Sequence, residues 1–435
     1  MNVVREILKY MLIYVVCVAV FFGLLVIVAK IPKEAIQDNM KASVDFFKKN
    51  DGCDEIYKRR EYSTLHYYAD SMLLNIIYSI DSEHPIQSVM WDKYYFEIYA
   101  DINNDFINAV EEDLAPNQEY LRYWHGSMVI VRPLLVFLNI EQIYLLNKVV
   151  MYGLAFVLLI LLFRKSKKVA FIFFVALFVV AFPIVPFCLE YSWTFYTMLI
   201  ASIIAIQIEK KGDKGLYILF LITGIITCFL DFLTTEIITL LVPVLLVLLI
   251  RKGEGRITGF KKCFKFVAFS CALWAAGYVG MWLTKWTLAS LILRINSIEY
   301  VKDRAMLRIN GLQGLKSRKE MYKGALYNNW HNLYPINIVK NKKHLLIYTI
   351  VFFSSVAIFI DWKNIKKKWF AGVLMLIAIT PYVRYLVLAN HSYRHSMFTF
   401  RTQIITVIAV IGAILETLNY RLLFKEINWR KNWKR

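Results

Sequence analysis

The sequence predicts an all-α protein that crosses a membrane many times. Of its 435 residues, 58% are hydrophobic, and the mean hydropathy is +0.49. These apolar residues are gathered in long blocks, whereas a soluble protein of this length has shorter ones. Ten blocks are long enough for a helix to cross a bilayer of about 30 Å. We therefore expect a polytopic membrane protein with about ten transmembrane helices.

The first block covers residues 11–29 and follows Arg5 and Lys9. It is longer than the apolar region of a signal peptide, and no small-residue cleavage motif follows it. Residues 1–30 are therefore expected to form an uncleaved transmembrane helix with a cytoplasmic N-terminus.

Residues 31–138 contain no block that would span a bilayer, and they are rich in aromatic residues. Aromatic residues at this density are rare in disordered segments. Within residues 127–138, Arg132 and Pro133 interrupt an apolar run, which is typical of a helix lying on the membrane surface. We expect a large, helical extracytoplasmic first loop.

Nine further blocks divide the rest of the chain into a transmembrane core at 139–284, a second extracytoplasmic loop at 285–342, and C-terminal transmembrane helices with a basic cytoplasmic tail at 343–435. The blocks are 139–163, 169–188, 192–208, 215–232, 234–250, 264–284, 343–361, 369–388 and 402–420. Basic clusters lie in every second connection, so the positive-inside rule places both termini in the cytoplasm. It also places every histidine on the extracytoplasmic side or at the outer end of a span. The residue usage is typical of an AT-rich bacterial genome, which indicates a bacterial cytoplasmic membrane.

Charge and cysteine patterns exclude several classes of function. The net charge is +20, but the basic residues fall in short loops, where membrane topology explains them better than nucleic-acid binding. The six cysteines form no C-x-x-C pair, so no disulfide framework or metal knuckle is expected. Walker A and Gly-rich dinucleotide motifs are absent from the sequence. An enzyme on the outer face would therefore need a lipid-borne activated donor.

The segment 385–401 is the strongest candidate for ligand binding, because four cationic or imidazole side chains lie close together beside apolar blocks. They are His391, Arg394, His395 and Arg401. The i, i+4 spacing of the histidines would also suit a metal ion, but no carboxylate is near them in sequence. Guanidinium groups bind phosphate oxygens in pairs, so phosphate is the favoured ligand.

Asp70 is the candidate general base. It lies where a polar segment becomes an apolar helix, and a partly desolvated carboxylate there can have a pKa raised toward neutrality. The same position suits a carboxylate that caps a helix or lies in its first turn. Spacing alone favours the capping interpretation.

Residues 119–126 offer aromatic rings together with a histidine. Tyr123, Trp124 and His125, with Arg132 downstream, are suited to stacking on a sugar and to binding a lipid phosphate. The alternative is an interfacial aromatic belt. Gly126 favours a site, since a belt needs no tight backbone at this position.

Two further charges lie close to the apolar blocks. Asp231 is in a very short turn between two blocks, where a charge is costly unless it is used or paired. Helix capping explains it equally well. Lys285 lies between Trp282 and Trp286 and could either contact phosphate or extend to the membrane surface.

In their order along the chain, these motifs resemble a bacterial branch of the GT-C superfamily of polytopic glycosyltransferases. The motifs are ADSMLLN at 69–75, YWHG at 123–126 with Arg132-Pro133, DFLT at 231–234, GYVGMWLTKW at 277–286 and NHSYRH with FTFR at 390–401. The resemblance implies a GT-C fold that uses a polyprenyl-phosphate sugar as donor. It implies Asp70 as catalytic base and a phosphate site formed by some of the cations above. No second acidic residue adjoins Asp70, so dependence on a divalent cation stays open.

The function expected from this resemblance is transfer of a sugar to a glycan, lipid or protein acceptor at the outer face. Two alternatives belong to other classes. A transporter or flippase of lipid-linked saccharides should have polar residues along its spans, and a scaffold of envelope polysaccharide synthesis would need no intact site.

Overall fold

The computed structural model describes residues 2–57, 61–97, 101–312, 315–333 and 342–419. The predicted basic tail at 420–435 and parts of the predicted loop at 285–342 lie outside these ranges. The described residues form twenty α-helices joined by short turns. In chain order they are α1 (Asn2–Ala29), α2 (Glu34–Lys49), α3 (Tyr67–Tyr78), α4 (Pro85–Trp91), α5 (Ile102–Glu111), α6 (Met128–Leu134), α7 (Ile140–Lys165), α8 (Lys167–Val179), α9 (Leu189–Ile208), α10 (Asp213–Leu230), α11 (Ile238–Gly253), α12 (Phe260–Leu293), α13 (Ser297–Asn310), α14 (Arg318–His331), α15 (Lys342–Ile358), α16 (Trp369–Ala378), α17 (Thr380–Val387), α18 (Ala389–Arg394), α19 (Ser396–Thr399) and α20 (Ile404–Thr417).

In the described part of the chain, seven helical segments are long and apolar enough to cross a membrane. This agrees with a polytopic, all-helical membrane protein. The segments are Val4–Ala29, Ile140–Lys165, Leu189–Lys211, Asp213–Leu230, Phe260–Leu293, Trp369–Val387 and Ser396–Thr417.

The other three predicted spans are helical but short, so the number ten is not confirmed. Helices α8, α11 and α15 have 13, 16 and 17 residues, which at about 1.5 Å per residue is less than a 30 Å bilayer core. Helix α8 ends early because Pro183 and Pro186 lie in a 3₁₀ turn, Phe182–Phe187, where two backbone N–H donors are missing.

Close backbone contacts hold the central helices together. A Cβ atom on Gly224 would lie 2.1 Å from the carbonyl oxygen of Trp274, and one on Gly277 would lie 2.4 Å from that of Leu221. Glycine is therefore required for α10 and α12 to approach each other as they do. Helix α11 is enclosed by its neighbours, and 14 of its 16 residues are buried.

The bundle has two distinct polar ends. At the first, called the basic end, Lys165, Arg251 and Arg256 surround Glu209. At the second, called the histidine end, lie His66, His125, His391 and His395. Helices α2 to α6 pack over the histidine end, with α2 against α7, α3 against α9 and α4 against α12.

Candidate active site at the histidine end

Asp70 lies in the first turn of α3, but its carboxylate is directed at another helix. Its Oδ2 accepts hydrogen bonds from the backbone N–H of Leu189 and from Tyr144 Oη, both at 2.8 Å. Its Oδ1 accepts one from the N–H of Glu190 at 3.0 Å. These N–H groups begin α9 and have no partner within that helix. Asp70 therefore caps α9.

This arrangement disfavours Asp70 as the base. The side chain is 1% exposed, and both oxygens already accept hydrogen bonds. Burial raises the pKa of Asp70 to about 7, although the N–H of Leu189 and the hydroxyl of Tyr144 lower it. A general base needs an oxygen within hydrogen-bond reach of the substrate proton. The geometry thus supports the capping alternative, in which the capped helix is α9 rather than α3.

The neighbouring carboxylate, Glu190, is the better candidate, and the sequence analysis missed it. Glu190 Oε2 lies 2.5 Å from His66 Nδ1, and the side chain borders a cavity of about 60 Å³. The lining residues are Ala69, Met72, Leu73, Ile76, Tyr120, His125, Glu190 and Phe232. The sequence does contain a signal for Glu190. It is a lone acidic residue between two apolar blocks, and a charge at that depth needs a partner or a use.

His66 connects Glu190 to the segment 385–401. The ring centroids of His66 and His395 are 6.0 Å apart, and those of His391 and His395 are 4.7 Å apart. Burial lowers the pKa of His66, but the adjacent Glu190 carboxylate outweighs that effect and the pKa is raised. The fold thus brings together two of the predicted residues and a carboxylate from a distant helix.

His125 borders the same cavity, on a backbone with φ of +49°. Its Nε2 lies 3.3 Å from the carbonyl oxygen of Tyr120, and its Nδ1 has no hydrogen-bond partner among the described residues. Burial and the nearby charge of Lys285 hold its pKa well below the usual value, so the ring is neutral. With Nε2 donating to that carbonyl, Nδ1 of the neutral ring is left as a hydrogen-bond acceptor.

The aromatic residues before His125 form part of the protein interior. Trp124 donates from Nε1 to the carbonyl oxygen of Met281 at 2.8 Å, and the ring centroid of Tyr123 is 5.1 Å from that of Trp282. Both side chains are buried. A Cβ atom on Gly126 would lie 2.5 Å from the carbonyl oxygen of Phe229, so the glycine allows close backbone packing. Neither ring is exposed for stacking on a sugar.

Two of the predicted phosphate ligands are buried and bind backbone carbonyls instead. Arg132 donates to the carbonyl oxygens of Ile77 and Ile31, and burial lowers its pKa to about 10. Arg401 donates to the carbonyl oxygens of Met397 and Tyr62, at 2.8 and 3.0 Å. Their exposed fractions are 0% and 1%, so in this conformation neither reaches an anion outside the protein. We therefore assign Arg132 and Arg401 a structural role, in which they hold the ends of helices.

Lys285 also lies away from the cavity surface. Its Nζ is 2.8 Å from Asp92 Oδ2 and 2.8 Å from the carbonyl oxygen of Val89, and both charged side chains are 0% exposed. The predicted phosphate contact does not fit this buried ion pair, and neither does the alternative of extending to the membrane surface. Asp92 was missed because it is 193 residues away in sequence.

Asp231 shapes the turn between α10 and α11. It accepts hydrogen bonds from the backbone N–H and the hydroxyl of Thr234, as a capping residue does. The same turn is held by Arg384, whose Nε lies 2.9 Å from Glu236 Oε1, and by His391, whose Nε2 lies 2.8 Å from the carbonyl oxygen of Leu233. His391 therefore positions the turn that carries Phe232 to the cavity.

Arg394 differs from the other predicted cations. Its side chain is exposed at the end of α18, one residue before His395. Of the predicted phosphate ligands, Arg394 and His395 thus remain best placed for an anion. The described residues contain no group of three or more His, Cys, Asp or Glu side chains arranged to hold a metal ion.

An apolar groove of about 410 Å³ leads away from this site along α7, α9 and α10, with α6 at its end. It runs from Leu189 to Ile204 on α9, a distance of about 22 Å at 1.5 Å per residue. Its walls are almost entirely aliphatic and aromatic. Leu189 borders the groove, and the next residue, Glu190, borders the small cavity that His125 also lines.

No protein-family model, curated protein or solved structure matches this chain.

Proposed function

We propose that this protein transfers a sugar from a polyprenyl-phosphate donor to a glycan, lipid or protein acceptor, and that the reaction takes place at the histidine end. The start of α9 carries the proposal. Leu189 borders an apolar groove within the bundle, and Glu190 borders a second, small cavity, with the polar side chains of His66 and His125 beside it. A lipid-linked sugar combines the same two parts, an apolar chain and a polar head. The resemblance of the motifs to GT-C enzymes supports the choice of reaction.

In this proposal Glu190 is the base. Its carboxylate takes the proton of an acceptor hydroxyl, whose oxygen then forms a bond to the anomeric carbon. The bond between that carbon and the phosphate oxygen breaks, and its electron pair leaves with the polyprenyl phosphate. His66, whose Nδ1 lies 2.5 Å from Glu190 Oε2, orients the carboxylate. Asp70 positions Glu190 by capping α9.

The charge of the departing phosphate would be compensated by Arg394 and His395. A cavity of about 60 Å³ holds about two water molecules, since each water occupies about 30 Å³. A sugar ring is larger, so we expect the turns that carry Tyr120 and Phe232 to move apart when the donor binds.

We further propose ten membrane crossings, with the histidine end outside and both termini cytoplasmic, in a bacterial cytoplasmic membrane. Helix α8 begins at the basic end, and the chain returns to Asp70 at Leu189. Helix α11 begins beside Arg384 and ends with Arg251 at the basic end. Both short helices therefore connect the two ends, and the basic clusters at one end favour a cytoplasmic location for it.

The test is turnover of a panel of polyprenyl-phosphate sugars by the purified protein in liposomes, comparing Glu190→Gln with Asp70→Asn. We expect Glu190→Gln to lower kcat by about 10²- to 10⁴-fold, as for loss of a general base, and to lower stability only by the contribution of its pair with His66. Asp70→Asn should lower stability, because it weakens the cap of α9, and should lower activity less.

Two results would contradict this proposal. Normal turnover by Glu190→Gln would remove Glu190 as the base, and selective loss of activity in a fully stable Asp70→Asn would return that role to Asp70. Absence of turnover with every donor, together with movement of lipid-linked saccharide across the liposome membrane, would favour the flippase.

A further inference from the structure

A second apolar groove lies at the basic end, between α15, α16 and α20. Its volume is about 500 Å³, and among the described residues that line it the only charged side chain is Lys368. The lining residues are Phe353, Val356, Ile360, Ile365, Lys368, Trp369, Ala371, Gly372, Met375, Val410, Ala413, Ile414 and Thr417. This groove is separate from the one described above, which lies along α7, α9 and α10.

The groove opens toward the membrane lipids. Helix α15 forms one wall, and its apolar side chains face away from the bundle, with Ile350, Val351 and Phe352 each more than half exposed. On the opposite wall, Met375 is 43% exposed. Apolar side chains exposed on a helix bundle at membrane depth are in contact with acyl chains. An acyl chain is therefore the natural occupant of the groove.

Positive charge surrounds one end of the groove. Lys252 Nζ lies 5.2 Å from the ring centroid of Trp369 and 3.3 Å from Glu416 Oε1. Lys168 and Lys252 both border an adjoining cavity of about 110 Å³, which also contains Glu416. Lys368 makes no ion pair within the described residues. Three lysines therefore face one carboxylate, leaving an excess of positive charge.

We propose that this groove binds an anionic phospholipid. One acyl chain lies along α16 and α20, and the phosphate lies at the end formed by Lys368, Trp369 and Lys168. Tryptophan at this depth is typical of the membrane interface, and basic pockets between helices attract anionic headgroups. A zwitterionic lipid would fill the groove but would not balance the lysines. This binding is independent of the proposed glycosyl transfer.

Gly372 offers a direct way to block the groove. It borders the groove, and a Cβ atom added to it would meet no other atom within 4 Å. The Cβ atom of Gly372→Leu therefore has open space at the border of the groove, and the rest of the side chain competes with a lipid for the groove. Gly153→Leu on α7 is the matched control, because Gly153 also has open space around it and lies outside the groove.

The experiment is native mass spectrometry of the purified protein with equal amounts of phosphatidylglycerol and phosphatidylcholine that have identical acyl chains. We expect the wild type and Gly153→Leu to retain phosphatidylglycerol preferentially, and Gly372→Leu to lose this retained lipid. Lys368→Gln should reduce the preference about fivefold, the effect of one lysine near a membrane surface.

Any of three results would overturn the proposal. Equal retention of the two lipids by the wild type would remove the role of the lysines. Retention by Gly372→Leu equal to that of Gly153→Leu would show that the lipid binds elsewhere. Retention of both lipids by Lys368→Gln with unchanged preference would likewise contradict the assigned headgroup position.

Discussion

The two ends of the bundle hold their buried charges in different ways. At the basic end, charged side chains bind each other: Arg251 Nη1 lies 2.7 Å from Asp213 Oδ1, and Arg256 pairs with both Glu209 and Glu254. At the histidine end, most of them bind backbone. Asp70 accepts from two N–H groups that begin α9, and Arg384 donates to the carbonyl oxygen of Leu233 at 2.6 Å.

This difference in hydrogen bonding indicates a different role for each end. Pairs between side chains join helix ends and leave few polar groups for a ligand. Bonds from side chains to backbone instead fix the start of a helix or the shape of a turn, and they hold Glu190 and Phe232 beside one cavity. Two buried ion pairs at the histidine end break this division: Arg384 with Glu236, and Lys285 with Asp92.

The largest effect is expected for the buried ion pair of Lys285 and Asp92. Lys285→Met leaves Asp92 buried without its cation and should lower the free energy of unfolding by about 3–5 kcal/mol. Thermal and denaturant unfolding in detergent micelles would measure it. Adding Asp92→Leu should restore part of the loss, since no charge then stays buried. A loss no larger than that of the exposed control Lys214→Met would show that the pair is not buried in solution.

A smaller effect is expected at the basic end. Glu209→Gln removes the shared carboxylate, but Arg251 keeps Asp213 and Arg256 keeps Glu254. We expect a loss of about 1–3 kcal/mol in the same unfolding measurement, and unchanged transfer activity. A loss as large as that of Lys285→Met would mean that the two ends do not differ in the way described.

The smallest effect is a dependence of stability on pH at the histidine end. Because the pKa of His66 is raised above 6.5 in the folded protein, its pair with Glu190 stabilises the fold fully below pH 6.5. This contribution is lost as the pH rises through the folded pKa. Asp70 also contributes to raising the pKa of His66, and the ring of His395 faces His66 at 6.0 Å. His66→Gln should flatten the fall in melting temperature above pH 6.5. An identical slope in wild type and variant would contradict the assignment.

Hydropathy along the chain was enough to predict the membrane-spanning helices. Seven of the ten predicted spans correspond to long apolar helices. Two of the three exceptions have local causes. Two prolines end α8 early, and the turn at Asp231 delays the start of α11 until Ile238.

The sequence by itself determined that the chain is a helical membrane protein, because length and hydropathy are properties of consecutive residues. Which polar groups face a cavity was decided only by the tertiary structure. Asp70 was singled out, but its partners lie 119 and 120 residues away and convert it into the cap of α9. Lys285 became part of a buried ion pair for the same reason. A polar side chain can bind a ligand only if the fold leaves its hydrogen-bonding atoms without partners. For Asp70 and Lys285 those partners come from segments that are distant in sequence.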